Sequence, residues 1–123
     1  MKNALSLFLK QLRISNNELL LDMAKKLGVS TPFLSSVENG KKAMPETMFD
    51  KICSLYALSV SETDKLRIAV SEICGALKLD FQPGMSDKKK ELAVVFARTF
   101  EELDDDSSEK ITKYLKGKKE ECP

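Results

Sequence analysis

Between Ser30 and Lys42 the chain gathers small hydroxyls at Ser30, Thr31, Ser35 and Ser36, an amide at Asn39 and two ammonium groups at Lys41 and Lys42. Such groups donate hydrogen bonds and neutralise charge; they make or break bonds only where a base stands beside a nucleophile. The 123 residues contain no histidine. This removes the commonest general base, the commonest metal ligand and the usual partner of a nucleophilic Ser or Cys. Carboxylates are plentiful, but Glu101-Glu102 and Asp104–Asp106 read as solvated surface, and neither a Gly-x-Gly-x-x-Gly nor a phosphate-loop pattern occurs. Cys53, Cys74 and Cys122 are odd in number and widely spaced, which fits neither a disulfide framework nor a zinc site. Cys53 and Cys74 fall on apolar helical faces and are expected to be reduced core thiols, with Cys122 an exposed thiol without function. The reading is therefore not an enzyme, with no cofactor and no metal; what remains is recognition chemistry.

The elements that would position these groups are helical. Leu5, Phe8, Leu9 and Leu12 follow the i, i+3, i+4, i+7 spacing of a first helix, and Leu20, Met23, Ala24 and Leu27 repeat it in a second. Gly28 stops that helix. Ser30 can cap a third, where Pro32 is tolerated in the first turn and Phe33, Leu34 and Val37 face inward, and Asn39-Gly40 ends it. Pro45 opens a fourth, with Met48, Phe49, Ile52, Leu55 and Tyr56 on its inner face. Ser59-Val60-Ser61-Glu62 is a capping box for a fifth that carries Leu66, Ala69, Val70 and Ile73, with Ser61-x-x-Asp64 competing for the same start. Five short helices in about 75 residues make one closed all-α domain.

The turn between the second and third helices is the informative place. Ala24 is small where two helices must cross closely, Gly28 permits the tight turn, Val29 plugs the core beneath it, and Leu34 and Val37 bury the next helix. That spacing is what a helix-turn-helix crossing requires, and the second helix of such a unit fits the major groove of DNA. The run Met23–Ser30, followed by Phe33-Leu34-Ser35-Ser36-Val37-Glu38-Asn39-Gly40-Lys41-Lys42, resembles the Cro/phage-repressor (Xre-like) helix-turn-helix family over about residues 3–75. A plain helical bundle is the alternative source of the pattern.

The resemblance implies a five-helix lambda-repressor-like DNA-binding domain, to which the spacing beyond Gly75 adds a short extended segment and two C-terminal helices. It implies that Arg13 pairs with Glu38 and braces the first helix against the end of the recognition helix. Ser30, Thr31, Pro32, Ser35 and Ser36 would occupy the DNA-facing side of the third helix, and Asn39, Lys41 and Lys42 the loop that meets the phosphates. Hydroxyls and N–H groups at a helix N-terminus suit phosphate, and the lysines would add counterion release. Ser30 is equally a cap without DNA, and Lys41-Lys42 equally a solvated turn. Two departures stand out. Leu19 and Leu20 occupy the positions where the family places a capping Ser/Thr and a phosphate-binding glutamine, which moves the expected cap back to Asn16 or Asn17. The reading face also lacks an Arg or Gln for a bidentate base contact, so specificity would rest on thymine methyls, hydroxyls and DNA shape.

After Gly75 the pattern changes. Leu77, Leu79 and Phe81 alternate with Lys78 and Asp80, the period either of a strand paired with a second subunit or of an extended connector, and Gln82-Pro83-Gly84 ends it as a turn. Ser86 or Asp87 can cap a helix bearing Leu92, Val95, Phe96, Phe100 and Leu103. Asp106-Ser107-Ser108-Glu109 reads as a capping box for another with Ile111, Tyr114 and Leu115, and residues 117–123 as a flexible tail. The expected organisation is thus a DNA-binding domain at 1–75, a dimerisation or partner segment at 76–116 and the tail. Residues 1–78 hold 11 Lys/Arg against 8 Asp/Glu, and residues 79–123 hold 9 against 11, so charge favours DNA only in the first part. No stretch has the length to span a bilayer and the start lacks the apolar core of a signal peptide, so a cytoplasmic, nucleoid-associated protein without membrane contact is expected. The expected function is a transcriptional regulator of bacterial or phage type, binding double-stranded DNA as a homodimeric repressor. The alternatives are an antitoxin-like protein whose C-terminal helices hold a regulatory partner protein, and an adaptor that has abandoned DNA.

Overall fold

A computed structural model describes residues 3–121, with side chains to residue 117. All the regular structure among them is helical: α1 (Ala4–Ser15), α2 (Leu20–Leu27), α3 (Thr31–Glu38), α4 (Glu46–Leu55), α5 (Val60–Cys74), α6 (Asp87–Thr99) and α7 (Asp105–Glu121), with a 3-10 turn at Phe100–Glu102. The chain divides into two units, 1–77 and 78–123. No described helix is long and apolar enough to cross a membrane.

The first unit owns the core. Leu5 and Leu9 from α1, Met23, Ala24 and Leu27 from α2, Leu34 and Val37 from α3, Met48, Phe49 and Ile52 from α4, and Leu66, Ala69 and Val70 from α5 are buried together. At roughly 1.5–3 kcal/mol for each large aliphatic side chain removed from water, these residues supply most of the drive to fold. α2 lies against α3 and α4, and α1 against α3 and α5. Caps fix where each helix starts. Asn3 accepts from the Ser6 N–H (2.7 Å), Ser30 from Phe33, and Ser59 and Glu62 close the reciprocal box that opens α5 at Val60. Gly28 ends α2 at φ +71°, a backbone conformation that a side chain disfavours, and the Leu27 carbonyl accepts from the Lys51 ammonium at 3.2 Å.

Several expectations are corrected. Leu55 is not on the inner face of α4; it is 49% exposed, because it lies at the edge of the apolar arc beyond Ile52. Cys74 is an exposed free thiol rather than a core residue, since it ends α5 past the last buried turn, whereas Cys53 does pack against the core. Asn16 and Asn17 do not cap α2. Asn16 ends α1, and Asn17 takes a left-handed φ of +54°, turning the chain before α2 starts. Residues 77–81 carry no regular structure within the single chain, as the connector alternative expects, and pairing with a second subunit is a matter for two chains. α7 is capped by Asp104, whose carboxylate accepts from the Ser107 N–H at 2.8 Å, two residues ahead of the expected box. The expected tail is helical as far as Glu121: Gly117 lowers helix propensity without stopping the helix. Cys122 lies outside the described residues.

The core closes around one ion pair. The Arg13 guanidinium donates to both carboxylate oxygens of Glu38 and to the Met23 sulfur (3.4 Å), and both charged side chains are about nine-tenths buried. Removing one partner strands the other's charge. Glu38→Ala is expected to lose about 3–5 kcal/mol in urea unfolding, whereas the apolar double replacement Arg13→Met/Glu38→Leu loses much less. Equal losses in the two variants would count against the pair as the source.

Candidate nucleic-acid interface

α3 is an eight-residue helix with two unlike sides. Leu34, Val37 and Glu38 are buried, while Ser30 and Pro32 are exposed and Thr31, Ser35 and Ser36 are half-buried on the other side. The i, i+4 steps from Thr31 to Ser35 and from Pro32 to Ser36 align those four along one face. Ser30 caps the helix by accepting from the Phe33 N–H at 3.2 Å, and its hydroxyl hydrogen remains available to an outside acceptor. Structurally it is a cap; any second role is additional.

The loop after α3 is built rather than slack. Asn39 is exposed and donates its N–H to the Ser35 carbonyl (3.0 Å), and the Ser36 carbonyl accepts from both Lys41 (2.9 Å) and Lys42 (3.3 Å). Gly40 takes φ +76°, and a Cβ there would lie 3.5 Å from the Ile73 side chain of α5. The loop therefore returns along α3 instead of leaving it. As a result the Lys42 ammonium stands 5.5 Å from the centre of the Phe33 ring, in the first turn of α3, although nine residues separate them in sequence. The Lys41 and Lys42 side chains are both exposed. Hydroxyls, helix-start N–H groups and ammonium groups are thus presented from one short stretch, a set that suits phosphate oxygens and groove edges.

The structure ties that stretch down with residues that sequence reasoning missed. Asn3, besides capping α1, donates from its side chain to the Glu38 carbonyl at 2.9 Å, so the start of α1 holds the end of α3. Its Asn-x-x-Ser spacing signals a cap but not this second bond.

At the start of α2, Asp22 supplies what Leu19 lacks by accepting from the Leu19 N–H at 2.8 Å, the reciprocal half of a capping box and legible from its three-residue spacing. Leu19 and Leu21 remain exposed beside it, at 72% and 50%. Just before α2, Glu18 accepts from the Tyr56 hydroxyl (2.6 Å) and pairs with Lys26, whose ammonium lies 4.8 Å from the Tyr56 ring centre. No sequence signal links these three. A shallow groove of about 390 Å³ runs along α5 from Arg67 to Gly75 and on to Ala76 and Leu77, and includes none of residues 30–42.

Residues 4–66, just over half of the 123-residue chain, match the family model described as a helix-turn-helix domain. The chain belongs to the helix-turn-helix domain family. No curated protein matched, and neither did any solved structure. The matched span covers α1 to α4 and the first part of α5, and so contains α2, α3, the loop between them and the whole Ser30–Lys42 stretch. The helix-turn-helix domain supports DNA binding, and with it a part in transcription regulation.

The Glu18 cluster has a consequence for pH. Burial alone would raise the Glu18 carboxyl; the hydrogen bonds from Lys26 and Tyr56 and the Lys26 charge outweigh it and hold the group below the usual 4.5. Burial and the same carboxylate push the Tyr56 phenol upward. Because the folded value of Glu18 is the lower one, its stabilisation is complete above about pH 4.5 and is lost as pH falls through the folded value. Wild type is therefore expected to lose more melting temperature than Glu18→Gln between about pH 6 and about pH 3. Parallel curves for the two proteins would show the carboxylate to be uncoupled from folding.

Proposed function

We propose that the chain is a sequence-specific regulator of transcription that binds double-stranded DNA as a homodimer and represses by covering an operator. The observation that carries this reading is the joint presentation of the α3 outer face and the Lys41-Lys42 loop. In the proposed complex α3 enters the major groove. Ser30, Thr31, Pro32, Ser35 and Ser36 face the bases and the nearest phosphates, and Asn39, Lys41 and Lys42 meet the backbone beside them. Arg13 and Glu38 keep α3 in position and do not touch DNA. The reading face is short-chained, so discrimination comes from apolar contact with thymine methyls, from hydroxyls and from groove shape. A single domain makes few base contacts, so two copies on half-sites about one helical turn apart supply the affinity.

A second reading has its own support. The start of α2, where the resemblance places a phosphate contact, presents the exposed side chains of Leu19 and Leu21 with the acid Asp22 beside them. Such a surface suits a protein better than a phosphate, which favours an adaptor or an antitoxin-like protein with a regulatory partner.

Binding of the full chain to a fluorescent duplex from upstream of its own gene, across a salt series, separates the two. The repressor reading expects selective binding whose log affinity falls linearly with log salt. In Lys41→Ala/Lys42→Ala that slope becomes shallower by up to ~2, at ~0.9 for each phosphate no longer neutralised. A folded protein with neither selectivity nor salt dependence would move the function to the partner-protein reading.

A further inference from the structure

Among the described residues the second unit buries no side chain. No residue of α6 or of the 3-10 turn after it is buried, and Leu92, Val95 and Phe100 are 63%, 38% and 59% exposed. Leu92, Val95, Phe96, Thr99 and Leu103 recur at helical spacing, and the Phe96 and Phe100 rings touch at 5.3 Å between centres. Ile111, Tyr114 and Leu115 of α7 are open as well.

The charges around this stripe select its occupant. Lys88, Lys89 and Lys90 sit in the first turn of α6, and Glu101 and Glu102 lie in the turn that ends it. Asp87 and Arg98 suit the dipole of α6, but these five oppose it, since cations belong at a helix C-terminus and anions at its N-terminus. None of the five has an ion-pair partner among the described residues. One neighbour answers Lys88, Lys89 and Glu102, which flank the stripe: another α6 running the opposite way.

Resting on the homodimer reading above, we propose that the second unit pairs with a second copy of itself through antiparallel α6 helices, about a two-fold axis near Val95 and Phe96. In that register Leu92 of one copy faces Thr99 of the other, and Val95 faces Phe96. Lys89 comes opposite Glu102 of the other copy at both ends, with Lys88 and Glu101 next to that pair, about 20 Å apart along the helix. A parallel pair would instead put lysines on lysines and acids on acids.

Two measurements on the full chain test it. Sedimentation over a concentration series at low salt gives the association. Lys88→Glu/Lys89→Glu and Glu101→Lys/Glu102→Lys are each expected to weaken the dimer at least tenfold, and the four changes together to restore it. In a background with Cys53, Cys74 and Cys122 replaced by serine, mixing the Leu92→Cys and Thr99→Cys proteins under oxidation is expected to give the 92–99 cross-link, with little 92–92 product. A chain monomeric at every concentration would overturn the homodimer reading itself. A dimer that cross-links 92 to 92, or ignores the charge changes, would overturn only the antiparallel pairing. The charge-swap arm needs no cysteine replacement and stands if the serine background folds poorly.

Discussion

The geometry of the first unit depends on a charge that cannot be left alone. Arg13 projects from α1 into a region almost sealed from water, where an unpaired guanidinium would be intolerable. Glu38, from the last turn of α3, supplies the two oxygens that make it tolerable. The pair is no source of large net stability, because bringing two ions out of water consumes most of what their attraction returns. It does specify position: any arrangement of α1 and α3 that separates these groups is heavily penalised. Asn3 adds a neutral bond to the Glu38 carbonyl, and Met23 brings α2 to the same guanidinium. Three helices thus meet at one polar point inside an otherwise hydrocarbon interior.

From that point outward the molecule is organised by ends rather than middles. The apolar stripes of α1 to α5 form a single cluster, but what gives α3 its presentation is the cap at Ser30, the left-handed Gly40 and the return of the loop onto Ser36. Each of these satisfies a backbone group that the short helix would otherwise leave unpaired. The same bonds that finish the helix also place Lys42 over Phe33. Structure and presentation are therefore not separable here.

Much of this is legible in the chain. Helical spacing locates the five core stripes, and Gly28, Ser30, Pro45 and the Ser59–Glu62 box locate their ends, because periodicity and capping are local physics. The errors fall where local physics runs out. A stripe tells which side of a helix is apolar but not how far its burial extends, so spacing alone puts Leu55 and Cys74 inside. At the start of α7 several acids and serines can each serve as cap, and the choice of Asp104 over Asp106 is made by geometry. The links from Asn3 to Glu38 and from Tyr56 through Glu18 to Lys26 span distant sequence positions of common residue types, and no single-sequence pattern marks them.

The start of α2 leads somewhere else. There the helix finds its cap within itself, Asp22 closing on the Leu19 N–H, and the surrounding surface is leucine and carboxylate. In the proposed complex that end offers a phosphate no side-chain donor. The duplex would be held on one side of the turn only, through α3 and the loop that follows it. A grip of that kind fixes depth but not tilt. The angle at which each domain meets the groove, and with it the tolerance for half-site spacing, would be set by whatever joins the two copies outside the helix-turn-helix.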